Sequence, residues 1–192
     1  MRQAIYPILF SVAFAMMSRP AASQKTAPRI KFSSINSIGL VSGGNGQAAK
    51  LETINGIALR QFFVGAGVAI DYYATRSVPL FIDVRRTLSS KQNAPFVYAE
   101  GGWNFSWATQ NQQFAKGYNA ISSSGMIAEG GVGLELHLKN ARAIILSAGY
   151  SLKTMKDKAE AYSIWSFPTP EPSYDYYKYN YQRIVLKAGL RL

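Results

Sequence analysis

Few side chains in this 192-residue chain are equipped for chemistry, and their spacing says more than their number. There is one histidine, His137, and no cysteine. That excludes a thiol nucleophile, a Cys-zinc site, a disulfide framework, a lipid-modified N-terminal Cys and any multi-His metal centre, so neither metal nor cofactor is expected. Five of the ten acids, Asp71, Asp83, Glu100, Glu129 and Glu135, stand out because each falls on the face of its segment opposite the apolar residues. Two of them form the raw material of acid–base catalysis. Glu135 and His137 with a serine would make a hydrolytic site of the kind some membrane-barrel lipid hydrolases use. Five bases, Arg85, Lys153, Arg183, Lys187 and Arg191, fall on the same polar face of their own segments, so mutual neutralisation is the stronger reading and no catalytic residue is expected. Gly65–Gly67 and Glu129–Gly133 resemble phosphate loops only superficially, since no helix follows and no GK[ST] occurs.

The elements that must position these groups are strands. From Ile30 onward the apolar period is two. Ile184, Leu186, Ala188, Leu190 and Leu192 fall on one face, with Arg183, Val185, Lys187, Gly189 and Arg191 on the other. The same alternation runs through Phe62–Tyr73, Val78–Leu88, Pro95–Trp107, Met126–Leu138 and Ile144–Leu152, and more weakly through Ile30–Val41 and Ala48–Ala58. Eight strands and no helix result. Connections alternate between tight turns and longer loops, chiefly Thr109–Ser122 and Lys156–Lys178, which is the pattern of outer-membrane barrels.

Alternation alone fits two barrels. A soluble barrel turns its apolar face inward; a membrane barrel turns it toward lipid. Here the polar face is rich in glycine and carries both charge signs, which suits the narrow interior of an eight-stranded barrel. Asp71, Asp83, Arg85, Glu100, Glu129, Glu135, Lys153, Arg183, Lys187 and Arg191 are therefore expected to form a lumenal ion network. The apolar face carries Tyr72, Trp103, Phe105, Trp107 and Tyr150 toward the loop side and Phe62 toward the turn side, as an aromatic girdle requires. The fold predicted is a single eight-stranded, antiparallel, up-and-down transmembrane β-barrel.

Charge and the N-terminus add location. Residues 1–23 read as a cleaved secretory signal: Arg2, the apolar run Ile5–Met17, then Ala21-Ala22-Ser23. The formal charge of +11 falls to +9 when Arg2 and Arg19 leave, and residues 24–192 form the barrel domain. The basic residues are dispersed, so no nucleic-acid stripe exists, and anionic headgroups or lipopolysaccharide are the better electrostatic partners. The Lys156–Lys178 loop offers Trp165, Phe167, Tyr174, Tyr176 and Tyr177 as a binding or adhesion surface; alternatively its tyrosines continue the last strand above the membrane.

TINGIALRQFFVGAGVAIDYY (Thr53–Tyr73) and SVPLFIDVRRTLSSKQNAPFVYAEGGWNF (Ser77–Phe105) resemble the small outer-membrane barrels of Bacteroidota, themselves similar to OmpA- and OmpX-type barrels. The ending YQRIVLKAGLRL (Tyr181–Leu192) resembles the strand signal read by the barrel-assembly machinery, with Leu192 where Phe is usual. The resemblance implies a monomer in the outer membrane of a Gram-negative bacterium, long loops extracellular and termini periplasmic. It implies no settled activity.

Overall fold

A computed structural model describes residues 30–89, 93–107, 120–138, 142–162 and 172–192; at 120–123, 157–162 and 172–175 only the backbone is described. The strands are β1 (Ile30–Gly43), β2 (Gly46–Leu59), β3 (Phe62–Asp71), β4 (Ser77–Thr87), β5 (Asn93–Ser106), β6 (Ala120–Ser123), β7 (Gly125–His137), β8 (Ala143–Tyr162) and β9 (Pro172–Arg191). All pairings are antiparallel, and β6 only prolongs the β7 edge along β8. The barrel thus has eight staves. It closes where β9 pairs with β1, sealed at the end by Ser34 N to Leu192 O at 3.0 Å and Leu192 N to Ser34 O at 2.8 Å. Both ends of the barrel chain lie at one rim, here the terminal rim; the other is the distal rim.

Following paired residues once around fixes the geometry: Lys31, Ala58, Phe63, Arg85, Tyr98, Gly131, Gly149, Val185, then Val41. The circuit returns to β1 ten residues above its start. Eight strands with that stagger tilt by about 40° to the barrel axis.

The outward face is apolar. Leu134, Leu186 and Leu190 are 37%, 55% and 51% exposed, and Ile38, Leu40, Val64, Ile82, Val132 and Ile184 share their side. Phe62, Tyr72, Trp103, Phe105, Trp107 and Tyr150 all point outward too. Arg76 lies over the rings of Tyr72 (5.2 Å) and Trp107 (5.4 Å) at the distal rim, and Arg86 over Phe62 (5.4 Å) at the terminal one. Such stacking lets a guanidinium reach headgroups while its stem stays on apolar surface.

In the last hairpin the tyrosines continue the last strand, as one of the two sequence readings has it, while the loop assigned to Lys156–Lys178 is corrected. Lys156–Lys178 is mostly strand, with β8 and β9 paired as far as Tyr162 and Pro172. Tyr174, Tyr176 and Tyr177 belong to β9, with Tyr176 and Tyr177 exposed, whereas Trp165 and Phe167 lie outside the described residues. The reason is physical: residues 176–180 are exposed on both faces of β9, so no burial imposes alternation there, and the apolar period disappears although the strand continues. The N-terminal segment 1–23 also lies outside the described residues.

Candidate functional site

The interior is built by inward residues of all eight staves. Large and small side chains alternate across it: Phe81 pairs with Gly67, Phe96 with Gly133 and Tyr98 with Gly131. A Cβ on Gly67 would lie 2.5 Å from two Phe81 ring carbons, so only glycine leaves room for that ring. The aromatic rings in turn receive cations. Arg183 lies over Tyr73, Lys187 over Tyr98, Lys50 over Phe81, Arg85 over Phe96 and Tyr98, and Arg191 over Phe63.

Midway along the axis sits a cage of two ammoniums and three carboxylates. Lys50 Nζ is 3.0 Å from Glu52 Oε2, 3.6 Å from Glu100 Oε2 and 2.9 Å from Glu129 Oε2. Lys187 Nζ takes the opposite oxygens, at 3.1 Å from Glu52 Oε1, 2.6 Å from Glu100 Oε1 and 2.7 Å from Glu129 Oε1. Each carboxylate therefore bridges both lysines, one oxygen apiece. Ser37 Oγ donates to Glu52 (2.8 Å) and Tyr98 OH to Glu129 (3.0 Å). All five charged groups are buried.

Nearer the distal rim one carboxylate serves two cations. Asp71 Oδ2 accepts from Arg183 Nη1 at 2.5 Å and lies 3.4 Å from Lys153 Nζ, while Asp71 Oδ1 accepts from Tyr73 N. Lys153 Nζ also donates to Ser77 Oγ (2.7 Å) and to the carbonyls of Thr75 (3.2 Å) and Tyr73 (3.3 Å). Arg183 Nη2 donates to Ser151. Beside them Asn104 is fully buried with neither amide atom hydrogen-bonded, and Ser106 Oγ is likewise unpartnered.

Toward the terminal rim two more ion pairs complete the set, one of them joined to the cage by Arg85 Nη2, 3.8 Å from Glu100 Oε1. Arg85 Nε donates to Asp83 at 2.9 and 3.1 Å, and Arg191 Nη1 to both oxygens of Glu135 at 3.0 Å. His137 Nε2 lies 3.4 Å from Glu135 Oε1 at this rim. The carboxylate that a hydrolytic histidine would need is thus already engaged by an arginine. Among the described residues no group of three or more His, Cys, Asp or Glu is arranged to hold a metal.

All ten charged residues expected inside face the lumen, Arg191 half-buried at the rim. Lys50 and Glu52 were missed, and they belong to the central cage. Their signal was present, since Leu51, Ile57 and Leu59 alternate with them, but Thr53 and Asn55 interrupt the apolar face of β2. With them the lumen holds six acids and six bases.

No family model and no curated protein matches the chain. Among solved structures, the crystal structure of Neisserial surface protein A superposes with a TM-score of 0.50 and 11% identity, covering 85% of this chain and 96% of that one. Outer membrane protein AlkL, solved by solid-state NMR in DMPC bilayers, gives 0.46 and 13% identity over 91% of this chain and 94% of that one. The fold is that of the small eight-stranded outer-membrane β-barrels.

Proposed function

We propose that the chain is an integral outer-membrane protein of a Gram-negative bacterium, structural rather than enzymatic, whose lumen is shut by its own ion network. One observation carries this reading. Twelve charges of balanced sign face the axis, and the outer wall between the aromatic rings is almost wholly apolar. A soluble barrel requires the reverse, and in hydrocarbon a closed sheet is the one non-helical way to pair every backbone group.

In this reading residues 1–23 are a signal removed on export. The barrel-assembly machinery inserts the remainder with termini periplasmic and loops outside, and the likeness to Bacteroidota and OmpA/OmpX-type barrels agrees with it. Because the lumen is formally neutral, the +9 surplus of residues 24–192 lies outside it. Among the described residues the terminal rim carries Lys31, Arg60, Arg86 and Arg142 outside the lumen. That supports contact with anionic phospholipid headgroups there, while Arg76, Lys156 and Lys178 are available to lipopolysaccharide at the distal rim.

Planar-bilayer recording tests the closed lumen: the wild type is expected to show no stable open state, and a large steady conductance would overturn it. Heat-modifiable mobility of unboiled protein, with distal-loop cleavage by protease on intact cells, tests insertion and orientation. A second reading rests on the β8–β9 hairpin, which exposes 74% of Tyr176 and half of Tyr177. It makes the barrel an adhesion or ligand-binding module. Deleting residues 160–176 is expected to abolish cell or ligand binding in that case and to leave the folded barrel intact.

A further inference from the structure

The membrane-facing wall contains one patch that does not belong in lipid. Ser34 pairs with Asn55 and Asn36 with Thr53 on the adjacent strands β1 and β2, and all four side chains are on the outer face. Thr53 Oγ1 donates to Asn36 Oδ1 at 2.7 Å, and Asn36 Nδ2 reaches Ser34 Oγ only at 3.5 Å. Asn55 is exposed and makes no side-chain hydrogen bond among the described residues. The patch lies inside the apolar band. Phe32, Ile57 and Leu59 flank it toward the terminal rim, and Ile38, Leu40 and Leu51 toward the distal one.

Nowhere else does the band look like this. The outward positions of β3 from Phe62 to Ile70, β4 from Val78 to Val84, β7 from Met126 to Leu136 and β9 from Ile184 to Leu190 are apolar or glycine throughout. An amide N–H facing hydrocarbon has neither water nor lipid to bond, so four contiguous polar side chains there are costly unless a protein surface covers them. A groove in the outer wall runs past Asn36 and Thr53 between Ile38, Leu51, Val68 and Leu190, with the small Ala188 beside it.

We infer that this face is where a second copy of the chain docks, forming a two-fold dimer within the membrane. An asparagine amide both donates and accepts, so the patch is complementary to itself. Two copies inserted in the same sense hold Asn36 and Asn55 at the same depth without any further constraint, as an isologous interface requires. Small and hydroxyl-bearing residues at such a seam let backbones approach while polar groups bond across it. This departs from the monomer that the family resemblance implies, and it rests on the membrane-spanning reading above.

Because the chain has no cysteine, each introduced thiol is the only one present. Full-length Asn55→Cys is expressed, and its outer membranes are isolated and oxidised. A disulfide-linked species of twice the chain mass is expected, with none from Val132→Cys or Ile82→Cys on other walls. In lipid nanodiscs the Asn36→Leu/Asn55→Leu double variant is expected to keep heat-modifiable mobility and to lower the dimer fraction roughly tenfold. Equal cross-linking at all three positions, none at position 55, coupling only to a different protein, or an unchanged dimer fraction in the double variant would each overturn the inference. Absence of the chain from the membrane fraction would instead overturn the membrane reading itself, together with the dimer that depends on it.

Discussion

The central cage and the distal cluster solve the same problem with opposite surpluses. In the cage three carboxylates meet two ammoniums, a formal −1; at the distal cluster one carboxylate meets two cations, a formal +1. The pairs Arg85–Asp83 and Arg191–Glu135 leave the lumen balanced as a whole, with Arg85 Nη2 also 3.8 Å from the cage carboxylate Glu100. Each surplus is met by dipoles of the fitting sense. Around the cage these are hydroxyl donors, Ser37 and Tyr98. Around Lys153 they are acceptors: two backbone carbonyls and Ser77 Oγ. Buried charge is tolerated here because opposite charges and fitting dipoles surround each cluster, although Glu52 Oε2 and Arg183 Nε make no hydrogen bond among the described residues.

Lys187→Met gives the largest expected effect. It leaves three buried carboxylates sharing Lys50, and urea unfolding in detergent should show a loss of about 3–5 kcal/mol or failure to fold. Asp71→Asn comes next. It strips the single anion from Lys153 and Arg183 and raises that cluster to +2, for an expected loss of about 2–3 kcal/mol in the same assay. Glu52→Gln makes the identical chemical change in the cage but brings it to neutrality, so about 1 kcal/mol or less is expected. If Glu52→Gln and Asp71→Asn cost the same, the contrast in surplus charge has no energetic content. The smallest effect belongs to Asn104→Leu. Removing an unpartnered buried amide is expected to be neutral or to stabilise by up to about 1 kcal/mol, visible as an unchanged or raised unfolding midpoint.

The barrel was legible in the sequence because a wall with lipid on one side and a crowded polar lumen on the other imposes strict alternation. Six of its staves announce themselves that way. β2 spoke less clearly because Thr53 and Asn55 sit among its outward residues, and with that the two central charges Lys50 and Glu52 went unread. The inner rings Phe63, Tyr73, Phe81 and Phe96 were invisible for another reason: hydrophobicity does not tell an aromatic that faces lipid from one that supports a cation. For Phe81 and Phe96 the mark is relational, a glycine on the neighbouring strand at the paired position, and register is needed to see it. The prolonged β8–β9 ribbon left no trace in periodicity because residues 176–180 are exposed on both faces of β9.

The seam between β1 and β9 couples two events that are usually thought of separately. Arg183, Lys187 and Arg191 lie on the last strand, while their anionic partners lie on strands elsewhere around the wall. A slip of one residue along Ile35–Arg191 to Gly43–Arg183 would turn all three cations out into hydrocarbon. A misregistered closure of this seam therefore costs buried ion pairing as well as alternation, so the register of the last stave and the charge pattern of the lumen specify each other.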